Sequence, residues 1–225
     1  MSFFSGLLSA LPGAVAQGLI WGLMAIGVFI TFKVLDLADL TVDGTMATGG
    51  AVCIVMMTHG ANVWVAMLCA FLAGMLAGLI TGILHTCMGI PAILAGILTQ
   101  LALYSINLKI MGRANQAISV MNYDLLVSLR NVKNVPFYQN SIFVVAIFCI
   151  VIIGVLYWFF GTELGCSLRA TGCNPNMSRA QGINTNFNIV LGLMISNGLV
   201  ALASALCSQY QGFADINMGR GAIVI

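Results

Sequence analysis

Six stretches of the chain contain no Asp, Glu, Lys or Arg and consist almost entirely of apolar side chains. They cover approximately residues 12–32, 45–58, 62–84, 90–108, 141–161 and 186–208. A helix needs about 20 such residues to cross the hydrocarbon core of a bilayer, where its backbone must satisfy its own hydrogen bonds. The pattern therefore predicts an all-α polytopic membrane protein with six spans.

The scarcity of charge excludes a water-soluble domain. Charged residues make up 6% of the chain and hydrophobic residues 60%, whereas about a quarter of the residues in soluble domains are charged. A net charge of +2 is too small to indicate a nucleic-acid partner. We therefore expect a lipid bilayer around most of the surface.

No sequence motif for catalysis or metal binding is present. The seven cysteines form no CxxC pair, and there is no GxxxxGK[ST], GxSxG or HExxH, the patterns that mark phosphate loops, hydrolase nucleophiles and zinc peptidases. The chain is therefore predicted to be no enzyme and to hold no metal and no cofactor. Any use of ATP is expected to belong to a partner.

The second apolar stretch is too short to cross a bilayer unaided, and a polar segment precedes it. This segment carries Asp36, Asp39 and Asp43 close to Lys33. The helix must borrow residues from the segment, which predicts a broken helix. The cluster is either a solvated loop or, with the break inside the membrane, part of a polar path, because ionisable groups at that depth are otherwise too costly.

A short internal sequence similarity, called here the echo, relates residues near the two ends of the chain. A shift of 176 residues lays Gly22, Leu23, Ala25, Ala38 and Asp39 on Gly198, Leu199, Ala201, Ala214 and Asp215. With six spans the two copies run in opposite directions, which predicts an inverted repeat of broken helices, a transporter architecture. Chance similarity between apolar sequences is the alternative. The echo adds Asp215 to Asp36, Asp39 and Asp43 as predicted substrate-pathway residues.

The segment of residues 162–185 carries the start and stop signals of two short helices. In chain order these signals are Thr162, Gly172, Asn174, Pro175 and Gly182. Thr162 and Asn174 are N-caps, Pro175 suits a first turn, and the two glycines are expected to follow the helix ends. We predict helices at 163–171 and 175–181 and expect the segment to contact a partner.

Two segments resemble permeases of ATP-binding cassette importers of the branched-chain amino-acid type. They are LMAIGVFITFKVLDLADLTVDG at residues 23–44 and GTELGCSLRATGCNPNMSRAQGIN at residues 161–184. In that family, Leu-Arg-Ala-x-Gly-x-Asn with a later Gly-Ile/Val-Asn marks the cytoplasmic loop that docks the ATPase. By position, the resemblance implies these docking residues: Leu168, Arg169, Ala170, Gly172, Asn174, Ala180, Gly182, Ile183 and Asn184.

The resemblance covers essentially the whole chain and implies the rest of the assembly. It implies one permease domain over residues 1–225, a cytoplasmic docking loop at 162–185, an ATPase, a second permease copy and an external solute-binding protein, in a prokaryotic cytoplasmic membrane. The first break departs from the Asn-Phe-Ala-His-Gly-like form of the branched-chain permeases. It resembles the sub-branch linked to aromatic amino-acid uptake.

Two further expectations concern length and topology. Family members are longer, so the chain is expected to be truncated within a further span that opens at residues 221–225. A cytoplasmic docking loop also puts the four basic residues between 109 and 140 outside, whereas the positive-inside rule prefers the reverse.

One alternative function remains open on the sequence. An ATP-independent secondary transporter or channel would use Asp36, Asp39 and Asp43 for ion coupling and would need no ATPase.

Overall fold

The computed structural model of the chain describes residues 2–118 and 141–220, with side chains for residues 11–118 and 142–220. The elements in chain order are α1 (Ser2–Phe29), a π-helical turn (Ile30–Val34), α2 (Thr41–Thr58), α3 (Val63–Thr86), α4 (Ala92–Met111), β1 (Asn115–Ala117), α5 (Ser141–Gly161), α6 (Glu163–Cys173), α7 (Pro175–Ala180), α8 (Thr185–Gln211) and β2 (Phe213–Asp215). The predicted all-α architecture is confirmed. The further span predicted at residues 221–225 and most of the basic stretch between 109 and 140 lie outside the described residues.

Five helical segments in the described ranges are long and apolar enough to cross a membrane. They are Leu11–Val34, Val63–Thr86, Ala92–Met111, Ile142–Gly161 and Thr185–Gln211. The remaining predicted span, at residues 45–58, corresponds to α2, which has 18 residues, 13 of them buried. α2 is therefore enclosed by other helices rather than by lipid, and six crossings remain a prediction.

α1 and α8 pack side by side in opposite directions. The Tyr210 hydroxyl donates to the carbonyl oxygen of Gly13 at 2.9 Å, and the Ser196 hydroxyl donates to that of Gly27 at 2.7 Å. Residue numbers therefore increase along α1 in the direction in which they decrease along α8, so the two helices are antiparallel. This is the orientation expected for the two helices of the echo, while the repeat itself remains a prediction.

α2 runs parallel to α8 and begins deep in the bundle. Thr45 donates its hydroxyl hydrogen to Asn197 Oδ1 at 2.9 Å, and Cys53 lies against the carbonyl of Ala205. Asn197 is twelve residues into α8, whereas Thr45 is only four residues into α2. At 1.5 Å per residue, α2 begins about 12 Å deeper than α8.

Glycines allow α8 to touch its neighbours closely. A Cβ on Gly49 of α2 would overlap the backbone of Ala201, and a Cβ on Gly78 of α3 would overlap that of Leu193. Close backbone approach through small residues is the usual way in which helices pack in lipid. As a result α8 is the central helix, with most of its second half buried.

The two ends of the bundle differ in structure. One end, called here the break end, contains the π-helical turn, α6 and α7; the other, the strand end, contains β1 and β2. The strands pair antiparallel, with Asn115 opposite Asp215 and Ala117 opposite Phe213. The sequence did not predict this sheet, whose partners are about 100 residues apart in the chain.

Candidate functional site

The helix predicted to be broken is interrupted between α1 and α2. The π-helical turn carries the chain out of α1, with Leu35 N donating to the Ile30 carbonyl oxygen at 3.1 Å, and residues 35–40, the first break, are not helical. Asp36 adopts a φ of 54°, a conformation that Asp tolerates better than most residues. α2 starts at Thr41, four residues before the apolar stretch at 45–58. The helix thus includes residues of the polar segment, as predicted.

Asp39 fixes the end of the first break. Its Oδ1 accepts a bond from Thr41 N at 2.9 Å, and its Oδ2 accepts one from Asn197 Nδ2 at 2.7 Å. Asn197 in turn accepts from Thr45. Asp39 is 9% exposed, and its two bonds tie the first amide of α2 to α8.

A chain of threonines extends this network to two more helices. The hydroxyls of Thr41 and Thr81 lie 2.8 Å apart, and Thr81 donates to Thr99 at 2.9 Å. All three side chains are buried. The start of α2 is thus bonded to α3 and, through Thr81, to α4 as well as to α8, and these bonds hold the first break in the position seen here.

Asp43 lines a cavity of about 310 Å³ between α2, α4 and the residues that follow β2. The other polar side chains of the lining are Gln100, Tyr104, Asn107 and Arg220. An acid, a base and three hydrogen-bonding groups thus surround one space near the middle of the bundle. Its volume is at the lower end of the about 300–1,000 Å³ typical of small-molecule sites.

Three of these cavity residues could have been found in the sequence. Gln100, Tyr104 and Asn107 are spaced by four and three positions on α4, the spacing that places side chains on one helix face. A polar face on an otherwise apolar span marks a path or a packed polar seam. Arg220 gave no such signal, because it comes from a distant part of the chain.

The four predicted substrate-pathway residues do not converge. Only Asp43 lines the cavity, while Asp39 lies within the hydrogen-bond network and Asp36 is exposed on the first break. Asp215 lies in β2, where it accepts a bond from Asn217 N at 2.7 Å and a long one of 3.5 Å from Asn115. The four carboxylates therefore occupy different surroundings.

The two predicted short helices are present as α6 and α7. Thr162 accepts a bond from Gly165 N at 3.4 Å and Asn174 one from Met177 N at 3.0 Å, so both predicted caps are confirmed. Gly182 follows α7 with a φ of 83°, as predicted. Asn184 caps α8 by accepting from Phe187 N at 3.2 Å.

The prediction that Gly172 ends α6 is wrong, because the helix continues to Cys173. A glycine that ends a helix usually does so in a left-handed conformation, and Gly172 does not adopt a positive φ. The residue has a different reason to be glycine. A Cβ there would overlap the carbonyl oxygen of Val34 and crowd the Cα of Leu35, so its lack of a side chain lets α6 contact the junction between the π-helical turn and the first break.

The predicted docking residues divide into an exposed set and residues that hold the helix pair in place. Arg169, Ala170, Asn174, Ala180, Gly182 and Asn184 are exposed. Leu168 is fully buried, and Gly172 and Ile183 are partly buried. The exposed set combines the polar residues Arg169, Asn174 and Asn184 with small ones.

Side-chain bonds fasten this helix pair to α8. Asn188 Nδ2 donates to Thr171 Oγ1 at 2.9 Å, and Arg179 Nε donates to Thr185 Oγ1 at 2.7 Å. Arg169 bonds instead to the end of α5, through the Phe160 carbonyl oxygen at 3.1 Å. The pair is therefore bonded to both α5 and α8.

Comparisons with known proteins give consistent results. Residues 11–225 match the family described as "Branched-chain amino acid transport system / permease component". The chain is 40% identical to the "Tyrosine transport system permease protein" of Clostridioides difficile, over 97% of this chain and 70% of that protein. It is 36% identical to an uncharacterized protein of Rickettsia prowazekii, over 94% of this chain and 72% of that one.

A more distant relative is named for a different substrate. The chain is 27% identical to the "Fructose import permease protein" of Bifidobacterium longum, over 73% of this chain and 46% of that protein. No solved structure matches the chain significantly.

Proposed function

The chain belongs to the family of permease components of branched-chain amino acid transport systems, and from that premise we propose that it imports an aromatic amino acid along a path beside α2. The relative at 40% identity is named for tyrosine transport, which supports this choice of solute. The single structural observation behind the path is the polar cavity that Asp43 shares with α4.

Family membership makes this chain the transmembrane permease subunit of an ATP-binding cassette importer and not an enzyme. An ATPase subunit and a substrate-binding protein are therefore its partners. This membership favours the importer over the ATP-independent transporter that the aspartate cluster left open. A second copy of the chain as the other half of the path, and the cytoplasmic membrane of a prokaryote as its location, are parts of the proposal.

The exposed surface of α6 and α7 is the proposed ATPase-docking site. Its exposed residues, such as Ala170, belong to the motif that docks the ATPase in the permeases that this chain resembles. A partner could contact these residues without disturbing the buried contacts of the two helices. With docking at this surface, the break end faces the cytoplasm and the strand end faces outward.

A direct route leads from the docking surface to the cavity. α6 touches the start of the first break where Gly172 meets Leu35. The first break leads through Asp39 into α2, which carries Asp43 on its first turn. A shift of α6 driven by ATP would move the N-terminal end of α2 against α4. The cavity would then change shape with each cycle.

A pull-down of the ATPase tests the docking surface. We choose Ala170→Glu because Ala170 is exposed, whereas Arg169 also bonds to α5. The matched control is Met88→Glu, a new charge on a side chain that is 67% exposed at the same end. We expect the native chain and the control to capture the ATPase from detergent extract and Ala170→Glu to lose it. Equal capture by both variants would remove α6 from the docking site.

A further inference from the structure

We propose that the cavity between α2 and α4 is a binding site for a zwitterionic amino acid, with Asp43 holding the ammonium group and Arg220 the carboxylate; this inference rests on the proposed import function. Both side chains line one space of about 310 Å³. Charge-assisted bonds are the strong ones in such a site, and a guanidinium matches a carboxylate in geometry.

Arg220 reaches the cavity because the chain turns back after β2. Ile216 N donates to the Ala114 carbonyl oxygen at 3.0 Å, and Arg220 N donates to that of Asn217 at 3.0 Å, which fixes a compact turn. Gly219 lies so close to Asp43 that a Cβ would overlap the Asp43 carbonyl oxygen. The acid and the base are thus brought together by a backbone contact.

Asn107 is the second, independent sign of a ligand. Its side chain is fully buried and lines the same cavity. Neither its Nδ2 nor its Oδ1 hydrogen-bonds any group in the described ranges. Buried amides are nearly always bonded, and an unmatched one reduces stability. An ammonium or carboxylate group in the cavity would satisfy it.

The rest of the lining fits an aromatic side chain. Tyr104 and Leu101 on α4 and Ala47 on α2 contribute apolar area to the lining. A site that combines two opposite charges with apolar side chains favours free amino acids over sugars, which carry no charge.

The test combines variants that lose one charge of the cavity with ligands that lack one charge of L-tyrosine. The purified permease–ATPase complex in lipid nanodiscs, without its binding protein, would be titrated with L-tyrosine, tyramine and 3-(4-hydroxyphenyl)propionate. Asp43→Asn and Arg220→Gln should each weaken L-tyrosine binding by about tenfold to a hundredfold. Asp43→Asn should leave the propionate unaffected, and Arg220→Gln should leave tyramine unaffected.

Matched controls are Asp215→Asn and Arg113→Gln, which remove the same charges outside the cavity lining. Absence of L-tyrosine binding to the native complex, or equal losses in the cavity and control variants, would overturn the proposal. Cellular uptake of labelled L-tyrosine is measured separately. Uptake without binding in the cavity would contradict the proposed binding site but not the import function. Absence of uptake would contradict the import function itself.

Asn107→Leu supplies a readout that a purely structural role would not give. Without ligand, the variant should unfold at a higher temperature than the native chain, because an unmatched amide has been replaced by an apolar group. It should also bind L-tyrosine more weakly. Lower thermal stability with unchanged binding would contradict the proposal.

Discussion

The break after α1 and the break after α8 share a sequence pattern but are held in different ways. In the first break, Asp39 is buried and bonded to both α2 and α8. In the second break, residues 212–220, the corresponding Asp215 is partly exposed and bonds to the adjacent turn and, weakly, to β1. The same Ala-Asp pair thus lies just before α2 in the first break and within β2 in the second.

The difference shows that a sequence echo predicts an interruption but not its partners. The first break is clamped by a helix on each side, whereas the second is held by strand pairing, which leaves its carboxylate at the surface. The carboxylate of Asp39 therefore has a structural role, while the second break brings Arg220 back to the cavity. The predictions below test this contrast in order of expected size.

Removing Asp39 should have the largest effect. Asp39→Ala removes the acceptor of Thr41 N and one acceptor of Asn197 Nδ2, which keeps its bond to the Leu193 carbonyl oxygen. Loss of two buried bonds to a carboxylate costs about 2–4 kcal/mol. Asp215→Ala should cost less than about 1 kcal/mol, because its environment is partly solvated. Thermal unfolding of the two variants in detergent measures both, and comparable losses would mean that the breaks are equivalent.

Replacing one glycine at each break by alanine should lower the stability of the protein by similar amounts. Gly172 touches Val34 beside the first break, and Gly219 touches Asp43 from the second. Replacement of either by Ala should cost about 1–3 kcal/mol, since a Cβ overlaps backbone in both cases. Gly161→Ala is the control, because a Cβ there meets nothing within 4 Å. Gly172→Ala should also lower the amount of solute moved per ATP hydrolysed, and an unchanged ratio would contradict the route through α6.

A smaller loss is expected at the threonine chain. Thr41→Val removes the hydroxyl that faces Thr81 but preserves the shape of the side chain. Thr81 keeps its bonds to Thr99 and to the Ala77 carbonyl, so the cost should be about 1 kcal/mol. Chemical denaturation in mixed micelles gives this number, and a loss as large as that of Asp39→Ala would make the hydroxyl chain, rather than the carboxylate, the main clamp.

The smallest effect is expected on the strand side. Asn115→Ala removes only the 3.5 Å bond to Asp215, while the backbone pairing of β1 with β2 persists. The free energy of unfolding should change by less than about 0.5 kcal/mol. A larger loss in the same denaturation experiment would show that side chains, not the backbone, hold the second break.

The sequence predicted what depends on local chemistry. The shortness of the second apolar stretch predicted that α2 starts in the polar segment, and the caps Thr162 and Asn174 marked α6 and α7 correctly. Gly172 was misread because a close contact with another segment and a helix end both favour glycine. The cavity was missed because Arg220 joins Asp43 and the polar face of α4 only in the folded chain.

The depth at which α2 begins has an electrostatic consequence. A helix carries roughly half a positive charge at its N-terminus, from amide groups that lack partners in the first turn. For α2 this end lies inside the bundle, with Asp39 on its first amide and Asp43 within its first turn. The dipole is therefore already matched by fixed carboxylates. An anionic group entering the cavity must find its cation elsewhere, and Arg220 is the cationic side chain that lines it.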